Sequence, residues 1–309
     1  MTTKEKTDFL QKYMRKWHLK WRKIHSDNIT GFRIGKKTHN NIEGKELSII
    51  FQLKKKRAKK MIKEDNFIPD HFKIKFPDKK FRIIKTDIEE TGQFSFHIGA
   101  ASAVQSSYSS KFGSAGLFVK DSSDKVYMVT NYHVVAENFM NESQFYYHRQ
   151  ADQTANDVKI YNNLETINGR FEIGAMTHEI DVSFTEVFVN PNSQLNSFPD
   201  LNRISGKFAS RPLPNTLNGK PVKVYSFYNQ NGTLSQINNV SSVLYTSNPE
   251  IYFEDIIQIS PKVTQGGDSG GALLTKTNAI LGIIVGGDNN YSYAIPFYKI
   301  TDFKNVTII

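Results

Sequence analysis

The sequence contains no cysteine. No disulfide can staple the fold, and a cysteine nucleophile is excluded. No apolar run approaches the ~20 residues that a membrane-spanning helix needs. The opening stretch, "MTTKEKTDFLQKYMRKW", lacks the apolar segment and small-residue cleavage site of a secretory leader. There is no internal repeat and no low-complexity tract beyond one Lys-rich segment. Acidic residues are scarce in the first 100 positions, which hold 12 Asp/Glu against 25 Lys/Arg; the other 209 hold 18 against 15. The net charge of +10 therefore belongs to an N-terminal segment, which suggests a module with its own role. These absences lead to the expectation of a cytoplasmic protein without a transmembrane segment.

What is present supports a folded chain. Of 309 residues, 39% are hydrophobic and 12% aromatic, sufficient for a core. Residues 3–27 have helical periodicity: Leu10, Met14, Trp17, Trp21 and Ile24 fall on one stripe, with most lysines and arginines off it. Between 29 and 92 a small mixed α/β unit is expected. "ITGFRIG" and "ELSIIFQL" look like strands, and "HFKIKFPDKKFRIIKTDI" like two more around Pro77-Asp78. "KKKRAKKMIKED" suits a basic helix or solvated turn, and "EETGQ", 89–93, a linker. Beyond it come many short strands: "GLFVK", "KVYMVTNY", "DVSFTEVFV", "KPVKVYSFY", "IYFEDIIQI", "AILGIIV", "YSYAIPF". Asn, Gly, Ser, Asp and Pro clusters separate them, so antiparallel barrels or sandwiches are expected.

The chemistry concentrates in "VTQGGDSGGALL", 263–274. Four glycines around one Asp-Ser pair suit a turn, but they also suit a nucleophilic Ser269 with space for substrate. A serine hydroxyl needs a base, and the base an orienting group. Of eight histidines, His133 in "YMVTNYHVVAE" stands apart at the end of an apolar strand. Asp181 in "HEIDVSFTEV" opens an alternating strand and is the expected carboxylate, with Glu179 its nearest competitor.

"VTNYHVV", "IDVSF" and "GGDSGGALL", in that order, resemble the trypsin-like (chymotrypsin-fold) serine peptidases. "FGSAGLFVKDSSDKVYMVTNYHVV" and "AILGIIVGGDNNYSYAIPF" are similar to the HtrA-like and glutamyl-endopeptidase-like bacterial branches, here without a PDZ domain. The likeness covers roughly residues 96–300. It implies a mainly β chymotrypsin-like double β-barrel, two six-stranded antiparallel barrels over 93–309. Residues 1–92, an amphipathic helix and a small α/β domain, would precede it. It also implies serine endopeptidase activity on protein or peptide substrates, with no cofactor and no metal. Ser269 would be the nucleophile, His133 general base and then acid, and Asp181 the orienting carboxylate. The N–H groups of Gly267 and Ser269 would form the oxyanion hole. The S1 walls would come from Val263, Thr264, Ile284, Val285, Gly286 and Gly287, with Asp288 at the rim. Val263 stands where Arg/Lys-specific enzymes hold an acid, so a small or apolar P1 residue is expected. No "IVGG"-type start precedes His133 at the family's distance, so a buried Asp268 needs another partner or a different conformation. A regulatory role at the oxyanion hole is expected for it.

"GFRIGKK…ELSIIFQLKKK…IPDHFKI" is similar to small domains before cytosolic trypsin-like peptidases in bacteria and in a plant leaf-shape family. This suggests regulation or docking of a partner protein through 1–92. The plainer reading is that the helix's Trp/Met/Leu stripe packs on the barrels or on the small domain. Lysines interleaved with aromatics also suit nucleic acid or anionic lipid, with no nucleic-acid motif in support. The rival reading is a latent or silent peptidase-fold scaffold. A third is a partner- or nucleic-acid-triggered protease of a stress or defence pathway.

Overall fold

The computed structural model describes the chain except residues 1, 26–27, 40–41, 58–60, 63–66, 93–94, 97–101, 141–144, 150–155, 162–165, 189–194, 197, 199–200, 202–203 and 247–250. It opens with helix α1 (Thr3–His25). Thr2 and Glu5 cap it reciprocally: the Glu5 carboxylate accepts from Thr2 N at 2.7 Å and the Thr2 hydroxyl from Glu5 N at 3.2 Å. The buried stripe is Leu10, Met14, His18, Trp21 and His25, with Gln11 beside it. This shifts the expected face. Trp17 is only partly buried and Ile24 is 43% exposed, because one further position in each turn keeps the helical phase.

Strands β1 (Ile29–His39), β2 (Ile42–Leu53), β3 (His71–Lys75) and β4 (Phe81–Glu90) follow. β3 and β4 flank Pro77-Asp78 as expected, and β4 runs parallel to β2. Of "KKKRAKKMIKED", Lys54–Arg57 is exposed and non-helical; much of the remainder lies outside the described residues. Glu89 and Glu90 of the expected linker belong to β4. β5 (Ser95–Phe96) comes next.

The first half of the remaining chain forms an antiparallel sheet. It contains β6 (Ala103–Ser106), β7 (Phe112–Ser114), β8 (Leu117–Lys120) and β9 (Val126–Thr130). Two short helices, α2 (Tyr132–Val135) and α3 (Glu137–Met140), lead to β10 (Tyr146–His148), β11 (Val158–Tyr161), β12 (Thr166–Met176) and β13 (Asp181–Val187). The second half contributes β14 (Gly206–Lys207), β15 (Pro221–Tyr225), β16 (Thr233–Tyr245), β17 (Tyr252–Ser260), β18 (Ala272–Thr275), β19 (Ala279–Gly287) and β20 (Ser292–Pro296). Helix α4 (Phe297–Phe303) then returns the chain to the first sheet, where β21 (Thr307–Ile308) pairs with β8.

The mainly β expectation holds, with one refinement. Strands β15, β18, β19, β20, β17 and β16 close into a six-stranded antiparallel barrel through the β15–β16 pairing. The first sheet runs β21-β8-β9-β13-β12-β11-β6-β7 as an open path among the described residues, with β10 added on β12. The barrel interior is aliphatic: Val222, Val224, Ile237, Ile257, Ile259, Leu273 and Leu281.

β16 has 13 residues, longer than one barrel wall requires. Its first part pairs with β15, while its far end pairs with β1 through Gly31↔Leu244 and Phe32↔Val243. The N-terminal strands thus extend the barrel's sheet, and α1 lies on them over a core of Leu10, Met14, Trp21, Phe32, Phe51, Val243 and Tyr245. His18 fixes the helix further: its two ring nitrogens meet the Tyr245 hydroxyl at 2.6 Å and the Glu254 carboxylate at 3.0 Å. A buried imidazole with both nitrogens partnered avoids the cost of an unmade hydrogen bond.

Candidate active site

His133 lies in α2, one turn past the end of β9, and Asp181 opens β13, the strand beside β9. The sheet therefore brings the two together. The carboxylate accepts twice from the same residue, from the imidazole Nδ1 at 2.5 Å and from the His133 N–H at 3.2 Å. An ionised carboxylate only accepts, so the proton of a neutral ring sits on Nδ1 and Nε2 carries the basic lone pair. Neighbours lock this geometry: Asn131 Nδ2 donates to Asp181 O at 2.9 Å, and the Ser183 hydroxyl donates to Asn131 O at 3.2 Å. Both side chains are buried. Glu179 is exposed and pairs with Lys299 at 2.5 Å, away from the ring.

Ser269 comes from the other half, on the loop before β18. Gly267 has φ +114° and Gly270 φ +92°, conformations a side chain rarely tolerates. Space forbids one too. A Cβ on Gly270 would lie 2.3 Å from both Ser114 O and Thr130 Oγ1, and one on Gly116 would lie 1.9 Å from Gly270 O. The loop that carries Ser269 is thereby pressed onto the first sheet beside Thr130, three residues before His133. Ser114 N–H donates to Ser269 O at 2.7 Å across the same seam. Ser269 is fully buried, and its hydroxyl donates to Val285 O at 3.0 Å. The bond to Val285 O is worth about 1 kcal/mol. Neither the Gly267 nor the Ser269 N–H donates a hydrogen bond among the described residues.

Asp268 turns away from the serine into the barrel's loop 226–229. Its carboxylate accepts from the Ser226 hydroxyl, from Gln265 N–H at 2.8 Å and from Asn229 Nδ2 at 3.4 Å. Burial nonetheless pushes its pKa up, because these neutral donors offset the desolvation only in part. Ser226 and Asn229 escape sequence reasoning; the polar run "SFYNQNG" signals a turn, with no sign of which acid it will meet.

The other expected residues divide. Val263 and Thr264 are tied to Ser292, through Val263 N–H at 3.1 Å and the Thr264 hydroxyl at 2.7 Å. Ile284 and Val285 send their side chains into two different apolar clusters, so they can line a pocket only with backbone. Gly286 and Gly287 pair with β20 on one edge and with β5 on the other. Asp288 is corrected from rim to interior. It is buried, accepts from Tyr293 OH at 2.7 Å and from Asn290 and Tyr291 N–H at 2.8 Å, and burial raises its pKa to about 6. Three local donors draw a rim acid inward.

No known protein family and no curated protein matches the chain by sequence. Solved structures do match. A Nocardiopsis protease has 14% identity and a TM-score of 0.44, covering 69% of this chain and 98% of its own. A glutamic acid specific serine protease has 18% identity and a TM-score of 0.44, covering 68% and 98%. The HtrA-type protease AlgW has 17% identity and a TM-score of 0.40, covering 64% of this chain and 56% of its own. The chain is similar in fold to these proteases. None of the described helices is long and apolar enough to cross a membrane.

Proposed function

We propose that the chain is a serine endopeptidase acting on protein or peptide substrates. The observation that carries this reading is the doubly hydrogen-bonded Asp181–His133 pair beside the seam where the Gly-Asp-Ser-Gly turn meets the first sheet. Ser269 attacks the scissile carbonyl after its hydroxyl rotates from Val285 O toward Nε2. His133 takes that proton and returns it to the leaving amine, while Asp181 holds the ring and stabilises its protonated form. The negative charge on the former carbonyl oxygen is met by the N–H groups of Gly267 and Ser269. Residues 93–309 form the peptidase unit and 1–92 the regulatory one, with cytosolic action. Val263, Thr264 and the backbone of 284–287 receive the P1 residue, which is small or apolar.

Asp268 controls the oxyanion turn in this reading. It is the residue between the two proposed donors, and its carboxylate fixes Gln265 at the start of the same turn. Asp268→Asn should therefore alter turnover; unchanged activity would remove it from the mechanism.

A fluorophosphonate probe tests the reading. Stoichiometric labelling of the wild type and none of Ser269→Ala is expected; absence of labelling in both refutes it. The bond from the Ser269 hydroxyl to Val285 O favours a second reading, a latent peptidase that needs a trigger.

A further inference from the structure

The edge of β19 that meets the nucleophile loop continues into a second contact. At Ile284 that edge is bonded to the loop itself: Gly270 N–H donates to Ile284 O and Ile284 N–H to Gly271 O, both at 2.7 Å. The next carbonyl, Val285 O, receives the Ser269 hydroxyl. The two residues after it, Gly286 and Gly287, pair antiparallel with Phe96 and Ser95 of β5. The opposite edge is filled by β20, with Gly286 facing Tyr293 and Gly287 facing Ser292. An extended peptide with a carbonyl at Ser269 would find backbone partners by continuing along this same edge, as strands add to a sheet. β5 holds that position.

We propose that β5 is a built-in competitor for substrate: the chain's own Ser95–Phe96 occupies the backbone-binding edge of the cleft, and the N-terminal module keeps it there. The proposal rests on the peptidase reading above.

The latch is visible on both sides of β5's partner strand. The turn that follows Gly287, residues 288–291, is tied to the end of β4, just ahead of β5. Asn289 N–H donates to Thr91 O at 3.0 Å, Asn290 Nδ2 donates to Glu90 O at 2.8 Å, and the Tyr291 hydroxyl donates to the Glu89 carboxylate. Glu89 also pairs with Arg33 of β1 at 3.3 Å, and the hydroxyls of Thr30 and Thr91 meet at 3.2 Å. The module built on α1, β1 and β2 thus fixes the residues that deliver β5 to the edge. A tethered competitor acts at an effective concentration in the millimolar range, so two residues of pairing are enough to matter. Anything that pulls 89–92 from 288–291 would free the edge.

The double variant Ser95→Pro/Phe96→Pro removes two backbone donors from β5 without touching the catalytic groups. The full-length variant and wild type are compared with two substrates. One is a single-residue ester that reaches only the carbonyl site; the other is a peptide with four residues before the scissile bond. A fall of tenfold or more in KM for the peptide, with ester kinetics within twofold, is expected. Equal kinetics for both substrates in both proteins overturns self-occupancy. A measurement on unmutated protein covers a variant that fails to fold. Amide hydrogen exchange at Ser95–Phe96 should be slow in the free chain and slow after labelling with a small fluorophosphonate. It should become fast after labelling with a four-residue peptidyl phosphonate. Protection that persists with the peptidyl label also overturns the proposal. Failure of both labels on wild type and variant is a different result: it removes the peptidase reading itself, and this inference with it.

Discussion

The two halves of the candidate site are built to different degrees of readiness. On the first sheet, Asp181 and His133 are already joined, and Asn131 holds the Asp181 backbone beside them. On the barrel, the Ser269 hydroxyl is engaged by Val285 O, Asp268 is buried with neutral donors only, and the neighbouring edge carries β5. The first half depends on adjacent strands and a short helix, a local arrangement that little can disturb. The second depends on a turn whose conformation is shared with the loop 226–229 and on an edge that another segment can fill. The proposed control by Asp268 and β5 would act on the barrel side.

The sharpest way to break this comparison is to remove a group from each half. Ser269→Ala should abolish peptide cleavage, by about 10⁶-fold in kcat, while thermal unfolding stays within a few degrees of wild type. Unaltered cleavage would mean that the barrel half has no chemical role. Asp181→Asn on the other half should cost about 10⁴-fold in kcat through the wrong ring tautomer. An effect below tenfold would show that the prebuilt pair is structural. Gly270→Ala should lower stability by about 3 kcal/mol or more, because a positive φ and two 2.3 Å approaches must both be relieved; denaturant midpoints measure it. Ser226→Ala takes one donor from Asp268 and should cost about 1–3 kcal/mol of stability, with activity falling further than for Ser183→Ala on the first sheet.

The smallest effect concerns pH. Asp288 is raised by burial from an ordinary 3.8 to about 6, so the folded protein binds its proton more tightly than the unfolded chain. Stability attributable to this group is present below about pH 4 and is lost as pH rises through 6. The loss is on the order of 1–3 kcal/mol. Asp288→Asn should flatten that slope in urea titrations between pH 4 and 7, and an unchanged slope would count against the burial argument.

Much of this was legible in the one-dimensional pattern. Alternating apolar residues with turn clusters announced the strands, and β3 and β4 came out on either side of Pro77-Asp78. The helix was legible too, but its face was set one position over, since His18 and His25 do not advertise burial in a hydrophobic count. His18 is inside because Tyr245 and Glu254, more than 220 residues later, supply its partners. Asp288 was misplaced for the same reason: a carboxylate reads as exposed until Tyr293, Asn290 and Tyr291 are seen to enclose it. Nothing in "SFYNQNG" links Ser226 and Asn229 to Asp268, and nothing in "EETGQFSF" marks a strand that will pair with β19.

Sequence by itself determined what each segment can become. Alternation made the strands, the phased stripe made the helix, and glycines at 267 and 270 permitted a turn closed to other residues. It also determined which side chains carry usable chemistry, in a chain with no thiol. Only the tertiary structure decided who meets whom. β16 runs past the barrel to join β1, β5 lies on β19, and the Ser269 hydroxyl turns to Val285 O. Those outcomes depend on distances between segments far apart along the chain. They follow from closing a sheet and satisfying its edges, which no local preference encodes.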